Sequence, residues 1–166
     1  MTTTDAANQG HNHQGHDDQG HEYEGHGGER SRFHLAIPVH DLQAAAEFYG
    51  NQLGCTRGRE AEVWIDWNLG GHQVVTHVVE GWTGVAGTNP VDGNNVPVPH
   101  FGVLMTPASF EALAARLREA KTEFVIEPTI RFQGQVGEQH TMFLLDPSGN
   151  ALEFKAFADD SQVFAR

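Results

Sequence analysis

The chain has 166 residues, 39% hydrophobic and 19% charged, which suits one domain or two small half-domains sharing a core. Lys and Arg number 10 against 22 Asp and Glu, a formal net charge of -12, which excludes the basic surface that nucleic-acid binding requires. The single cysteine, Cys55, excludes a disulfide framework and a cysteine-cluster zinc site, and no apolar run reaches the roughly 18 residues of a membrane span.

Residues 1–31 are Gly, Asn, Gln, Asp, Glu and His, almost without aliphatic side chains. Such a segment cannot bury enough apolar area to offset its ordering entropy, and disorder is expected. His11, His13, His16, His21 and His26 stand there among acidic residues, as a metal-scavenging arm or as a merely solubilising extension. No apolar stretch follows a basic start, so no secretory signal is expected, and a reduced thiol points to the cytoplasm.

The folded part is expected over 32–166. A strand over Phe33–Val39 leads to a turn at His40-Asp41. A helix follows, with Asp41 as N-cap, an apolar stripe of Leu42, Ala45, Phe48, Tyr49 and Leu53, and a stop at Gly54. Strands follow at 63–69 and 73–79, turning at Gly70-Gly71. A Gly-, Asn- and Pro-rich linker spans 80–98. A second strand, 99–105, again feeds a helix, with Thr106 as cap, Pro107 in its first turn and Phe110, Leu113, Ala114 and Leu117 as its stripe. Strands at 124–127, 139–145 and 151–157 complete the chain, the last two joined by the turn Asp146-Pro147-Ser148-Gly149-Asn150. His34 and His100 open equivalent strands, so the chain reads as two βαβββ modules, about 32–80 and 98–157. The fold class is α+β, two paired modules whose helices cover one sheet face and leave a concave face free.

Strand alternation sorts the side chains between those faces. Phe33, Leu35 and Ile37 are expected under the helix, with His34 opposite. Phe101, Val103 and Met105 leave His100 on the free face, and Leu152 and Phe154 leave Glu153 there, with Lys155. Two imidazoles and one carboxylate are the donors of a facial triad, which suits one divalent ion with open positions. Fe(II) is the expected ion, with Zn, Ni, Mn or Cu as alternatives for the same donors. His77, in the last strand of the first module, is a fourth ligand or an acid/base beside the metal. His140 is a further candidate to line the cavity, and His72 is second to the site or structural. Arg131 either pairs with an anionic group of the substrate or is a surface arginine.

These paired modules, with His34, His100, Glu153 and the Asp146–Asn150 turn before Ala151-Leu152-Glu153-Phe154, resemble the vicinal oxygen chelate superfamily. That superfamily holds glyoxalases, bleomycin-binding proteins and type I extradiol dioxygenases. Gly71-His72-Gln73, Pro99-His100-Phe101-Gly102 and Gly137–Phe143 are similar to its small single-chain dioxygenase-like members. The resemblance implies that His34, His100 and Glu153 are the metal ligands, and that His77 stands where glyoxalase-like members often carry a glutamate ligand. It implies an enzyme, an Fe(II) dioxygenase acting with O2 on a small substrate that chelates the metal through adjacent oxygens. A glyoxalase-type Zn or Ni lyase or isomerase, or a non-enzymatic antibiotic binder walled by Trp64, Trp67 and Trp82, are the competing functions. A homodimer is expected from the open sheet edges and from the resemblance.

Overall fold

The computed structural model describes residues 31–91 and 93–165; the expectations for the His-rich segment over 1–30 lie outside the described residues. The first module runs β1 (His34–Val39), α1 (Leu42–Ala45, continuing as a π-helical run Ala46–Gln52), β2 (Thr56–Ala61), β3 (Trp64–Leu69) and β4 (His72–Val78). A hairpin of β5 (Thr88–Val91) and β6 (Asn94–Pro97) follows. The second module runs β7 (His100–Phe101), α2 (Pro107–Glu119), β8 (Phe124–Arg131), β9 (Gln139–Leu145) and β10 (Ala151–Phe157). The two four-stranded sheets share one topology, β1-β4-β3-β2 and β7-β10-β9-β8. In each, the first strand lies parallel to the last and the remaining pairs are antiparallel. The α+β fold of paired βαβββ modules is therefore as expected. No helix among the described residues is long and apolar enough to cross a membrane.

The expected caps form. Asp41 Oδ1 accepts from the Ala44 amide at 2.6 Å, and Thr106 Oγ1 from the Ser109 amide at 3.2 Å, each satisfying a helix-start donor that has no intrahelical partner. Gly70 and Gly71 take φ of +59° and +90°, which lets β3 reverse tightly into β4.

Several features depart from the sequence expectation: the first strand of the second module is only His100–Phe101, and most of the first helix is π-helical. Strand β2 is exposed along its whole length and carries no apolar alternation, so only its ladder to β3 marks it as a strand. The linker contains the β5–β6 hairpin. Phe33, expected in the core, is 61% exposed and lies just before β1.

The buried faces of both modules merge in one core that includes Val39, Phe48, Tyr49, Trp67, Phe110, Leu117, Met142, Leu144, Leu152 and Phe154. Tyr49 stacks on Trp67 with ring centroids 5.9 Å apart and meets Phe48 edge-on at 5.1 Å. Its hydroxyl donates to Asp146 Oδ2 at 2.8 Å, joining α1 to the turn between β9 and β10.

Two protons are held inside this core. Burial raises the Cys55 thiol from 9.0 to about 11, against a smaller opposing effect of Arg116. Burial, and then the charge of Asp146, raises the Tyr49 hydroxyl well above its ordinary value. The native chain keeps these protons where the unfolded chain has lost them. The Cys55 contribution, on the order of 2 kcal/mol, is complete below about pH 9 and is lost as pH rises through about 11, and the Tyr49 contribution is lost only above its ordinary value of 10.0. Urea midpoints should fall steadily from pH 8.5 to 10.5, and Cys55 should resist a neutral alkylating reagent at pH 8 until the chain is unfolded. A flat profile together with rapid native alkylation would show the thiol to be accessible.

Candidate metal centre

Strand β10 crosses the second sheet with Leu152, Phe154 and Ala156 in the core, which turns Glu153 and Lys155 to the opposite face. Parallel pairing sets Ala151 opposite His100 and Leu152 opposite Phe101, so Glu153 sits just past the histidine. A Cβ on Gly102 would stand 1.6 Å from the Glu153 carbonyl oxygen, so only glycine lets the chain after β7 approach β10 this closely.

His100 and Glu153 consequently meet. His100 Nε2 lies 3.1 Å from Glu153 Oε2. The other ring nitrogen, Nδ1, is 2.7 Å from the Pro97 carbonyl oxygen. A carbonyl only accepts, so Nδ1 carries a proton and Nε2 is the ring nitrogen turned to the carboxylate, the one that holds a lone pair whenever the ring is neutral. The second carboxylate oxygen, Oε1, accepts from Thr141 Oγ1 at 2.8 Å and lies 3.3 Å from Lys155 Nζ. Oε2 is thus the oxygen turned to the imidazole. Glu153 is only 8% exposed, and Phe143 stands edge-on to the His100 ring at 5.1 Å.

The first sheet repeats the imidazole half of this arrangement. His34 lies opposite Gln73 in the parallel ladder, and its Nδ1 donates to Gln73 Oε1 at 2.8 Å. Its Nε2 is therefore also free to donate a lone pair. Fixing one ring nitrogen on an oxygen acceptor is the usual way a ligating histidine is oriented.

The carboxylate half is not repeated. The place of Glu153, two residues past the residue facing the histidine, is taken in β4 by the buried Val75. His77 corresponds to Lys155. It lies about 13 Å along β4 from Gln73 at the usual rise per residue, with an exposed side chain facing Pro38 and Trp64 in the ladders. In this register Val75, and not His77, stands at the place that matches Glu153. His140 is turned away from the ligand face. It shares the parity of Met142 and Leu144, and points to the helix side, where Nδ1 lies 3.0 Å from Glu111 Oε1 and the ring meets Phe110 edge-on. His72 is structural, its Nδ1 accepting from the Phe33 amide at 3.0 Å.

Arg131 is on the site face. With Thr141 and Phe143 it lines a cavity of about 200 Å³ to which the β5–β6 hairpin contributes Val91, Asn94 and Val96. Sequence reading gave neither Thr141 nor Gln73 a role in the site, although strand alternation puts both on the ligand face. The hairpin carried no such signal.

The structure brings His100 and Glu153 together and leaves His34 on the other sheet. Among the described residues no group of three His, Cys, Asp or Glu side chains converges to hold an ion. The His100–Glu153 pair nevertheless fits one. Two lone-pair atoms 3.1 Å apart repel unless a proton or cation lies between them, and adjacent ligands at about 2.1 Å from one ion stand about 3 Å apart.

Two paired βαβββ modules built around one core define a class of small α+β proteins. The chain belongs to the Glyoxalase/Bleomycin resistance protein/Dioxygenase superfamily, whose model matches residues 32–154. It is similar to a glyoxalase/bleomycin resistance protein/dioxygenase from Alicyclobacillus acidocaldarius, with 33% identity, 81% of this chain and 96% of that one covered, and a TM-score of 0.68. A glyoxalase/dioxygenase from Nostoc punctiforme shares the fold at 18% identity, 83% and 98% coverage and a TM-score of 0.58. So does a lactoylglutathione lyase from Agrobacterium tumefaciens, at 16% identity, 78% and 95% coverage and a TM-score of 0.55. No curated protein matched the chain.

Proposed function

We propose that the chain is a metal-dependent, dioxygenase-like enzyme whose ion, Fe(II), is held by His34, His100 and Glu153. The observation that carries this reading is the His100–Glu153 pair, an imidazole nitrogen and a carboxylate oxygen 3.1 Å apart, with the other ring nitrogen donating to the Pro97 carbonyl on the far side. His34 has the same tautomer, imposed by Gln73. One protomer does not bring the three donors together, so the set is completed in a homodimer, by His34 of the partner subunit. Val75 in place of a second carboxylate leaves three protein donors, the number that keeps positions open for a chelating substrate and O2. This favours the dioxygenase over the four-ligand glyoxalase arrangement.

When bound, such an ion acidifies a chelating hydroxyl and supplies redox capacity toward O2. The protein's own groups do the rest. Thr141 and Lys155 hold one carboxylate oxygen so that the other faces the ion. Lys155 Nζ also places a positive charge and a transferable proton beside the site. Arg131, Phe143 and the hairpin wall shape the adjoining cavity.

The test is anaerobic purification, elemental analysis and Fe(II) reconstitution, followed by oxygen uptake with catechol, hydroquinone and 2-oxoaldehyde substrates. Iron-dependent O2 consumption with a vicinal diol is expected. Conversion of the oxoaldehyde with Zn or Ni and no O2 uptake would assign the lyase function instead, and a protein that takes up no metal would be a binder.

A further inference from the structure

Among the described residues, three arginines gather beside His34 on this acidic chain. A cavity of about 480 Å³ on the first sheet is lined by His34 and Gln73, by Arg32, Arg57 and Arg59, and by one carboxylate, Asp66. Three of the chain's 10 basic residues thus line one concavity of a protein with net charge -12. The volume falls in the range that holds a small metabolite.

Two of these arginines are oriented by their surroundings. Asp66 is 8% exposed on β3 and accepts from Arg59 Nε at 3.2 Å. That bond engages Nε and leaves the terminal nitrogens available to solvent, the side chain being 80% exposed. Gly58 makes this possible, since a Cβ there would stand 3.1 Å from Asp66 Cβ. Arg57 lies 6.0 Å above the Trp67 ring and pairs with the exposed Glu60. A register shift between Arg57 and Glu60 bends β2 at this point. Guanidinium groups held in place are suited to grip planar or tetrahedral oxyanions through paired N–H donors.

We propose that this cavity is an oxyanion-binding subsite, with Arg57 and Arg59 gripping a carboxylate or phosphate group. It rests on the reading of His34 as a metal ligand for one further consequence: the substrate carries its anionic group on the side of its chelating oxygens that faces the first sheet.

The test uses full-length, metal-free protein at pH 7.5, titrated calorimetrically with inorganic phosphate and, separately, with glutarate. Saturable millimolar binding of one of them, weakening as NaCl rises, is expected. The stronger of the two identifies the group as phosphate or carboxylate. Arg57→Gln and Arg59→Gln should each weaken that binding about tenfold, the loss of one charge-assisted contact. Arg59→Lys keeps the charge, and guards against a misfolded Arg59→Gln in which Asp66 has lost its partner; it should fall between. Arg118→Gln, at the distant α2–β8 ion pair, should leave binding unchanged. No saturable binding of either anion, or equal binding by the arginine variants, would overturn the proposal. Because no metal is present, that failure is separate from a failure of His34, His100 and Glu153 to bind an ion.

Discussion

Glu153→Ala is expected to abolish tight binding of the divalent ion and with it essentially all turnover, while the fold persists. Its carboxylate is almost completely buried and is aligned by Thr141 and Lys155 so that one oxygen faces His100 Nε2 at 3.1 Å. Removing it takes away the only anionic donor of the set, and two neutral imidazoles do not hold Fe(II) tightly. His100→Ala and His34→Ala should behave in the same way, each deleting one donor. His77→Ala is the contrasting variant. A residue about 13 Å along β4 from the level of His34 should leave metal content intact and turnover within a few-fold of the parent. Metal content should be read on protein lacking residues 1–30, so that the five histidines there hold none of their own. The Alicyclobacillus relative consists almost wholly of the matched region, so this truncation retains the domain. Full occupancy after Glu153→Ala or His34→Ala would sink the ligand assignment, and loss of metal after His77→Ala would restore it as a ligand.

Asp146→Ala should produce the largest loss of stability. Its carboxylate is 4% exposed and accepts four hydrogen bonds. Oδ1 takes the Ser148 and Asn150 amides, both at 2.8 Å, and Oδ2 takes the Tyr49 hydroxyl at 2.8 Å and Asn150 Nδ2 at 2.7 Å. The same turn reaches the first module twice more, through Asn150 Nδ2 to the Pro38 carbonyl at 2.7 Å and the His40 amide to Ser148 Oγ at 3.0 Å. Alanine leaves buried donors without an acceptor, at about 1–3 kcal/mol each. A total loss of about 4 kcal/mol or more follows, which for a domain of this size lowers Tm by about 10 °C or more. Tyr49→Phe removes one of the four bonds and should cost only about 1 kcal/mol. Chemical denaturation of the three proteins checks this ranking, and a change below about 1 kcal/mol for Asp146→Ala would show that the turn does not tie the modules together.

The fold was legible where local chemistry is decisive. Asp41 and Thr106 cap their helices as read, because a short side-chain oxygen before an apolar stripe has few other roles. Strands β9 and β10 and the turn between them fall where alternation and Pro-Ser-Gly-Asn set them. Strand β2 and the β5–β6 hairpin were not legible. Both are half-exposed or more, so the apolar pattern that reveals a strand is missing, and only pairing with a neighbour creates them.

The same division runs through the site. Parity along a strand is a property of the chain itself, and it alone put His34, His100 and Glu153 on the face away from the helices. Distance across a sheet depends on register, which is fixed by tertiary pairing. Register brought His100 to Glu153, put Val75 rather than His77 in the matching place of the first sheet, and left His34 beside Gln73. It also turned His140 toward α2, where the hydrophobic neighbours Met142 and Leu144 carry it into the helix-covered layer. Sequence by itself determined which residue types face the ligand side of two repeated modules. Which of them meet was decided by the tertiary structure, because contacts between strands are set by burying one shared core and not by any local preference of the residues that touch.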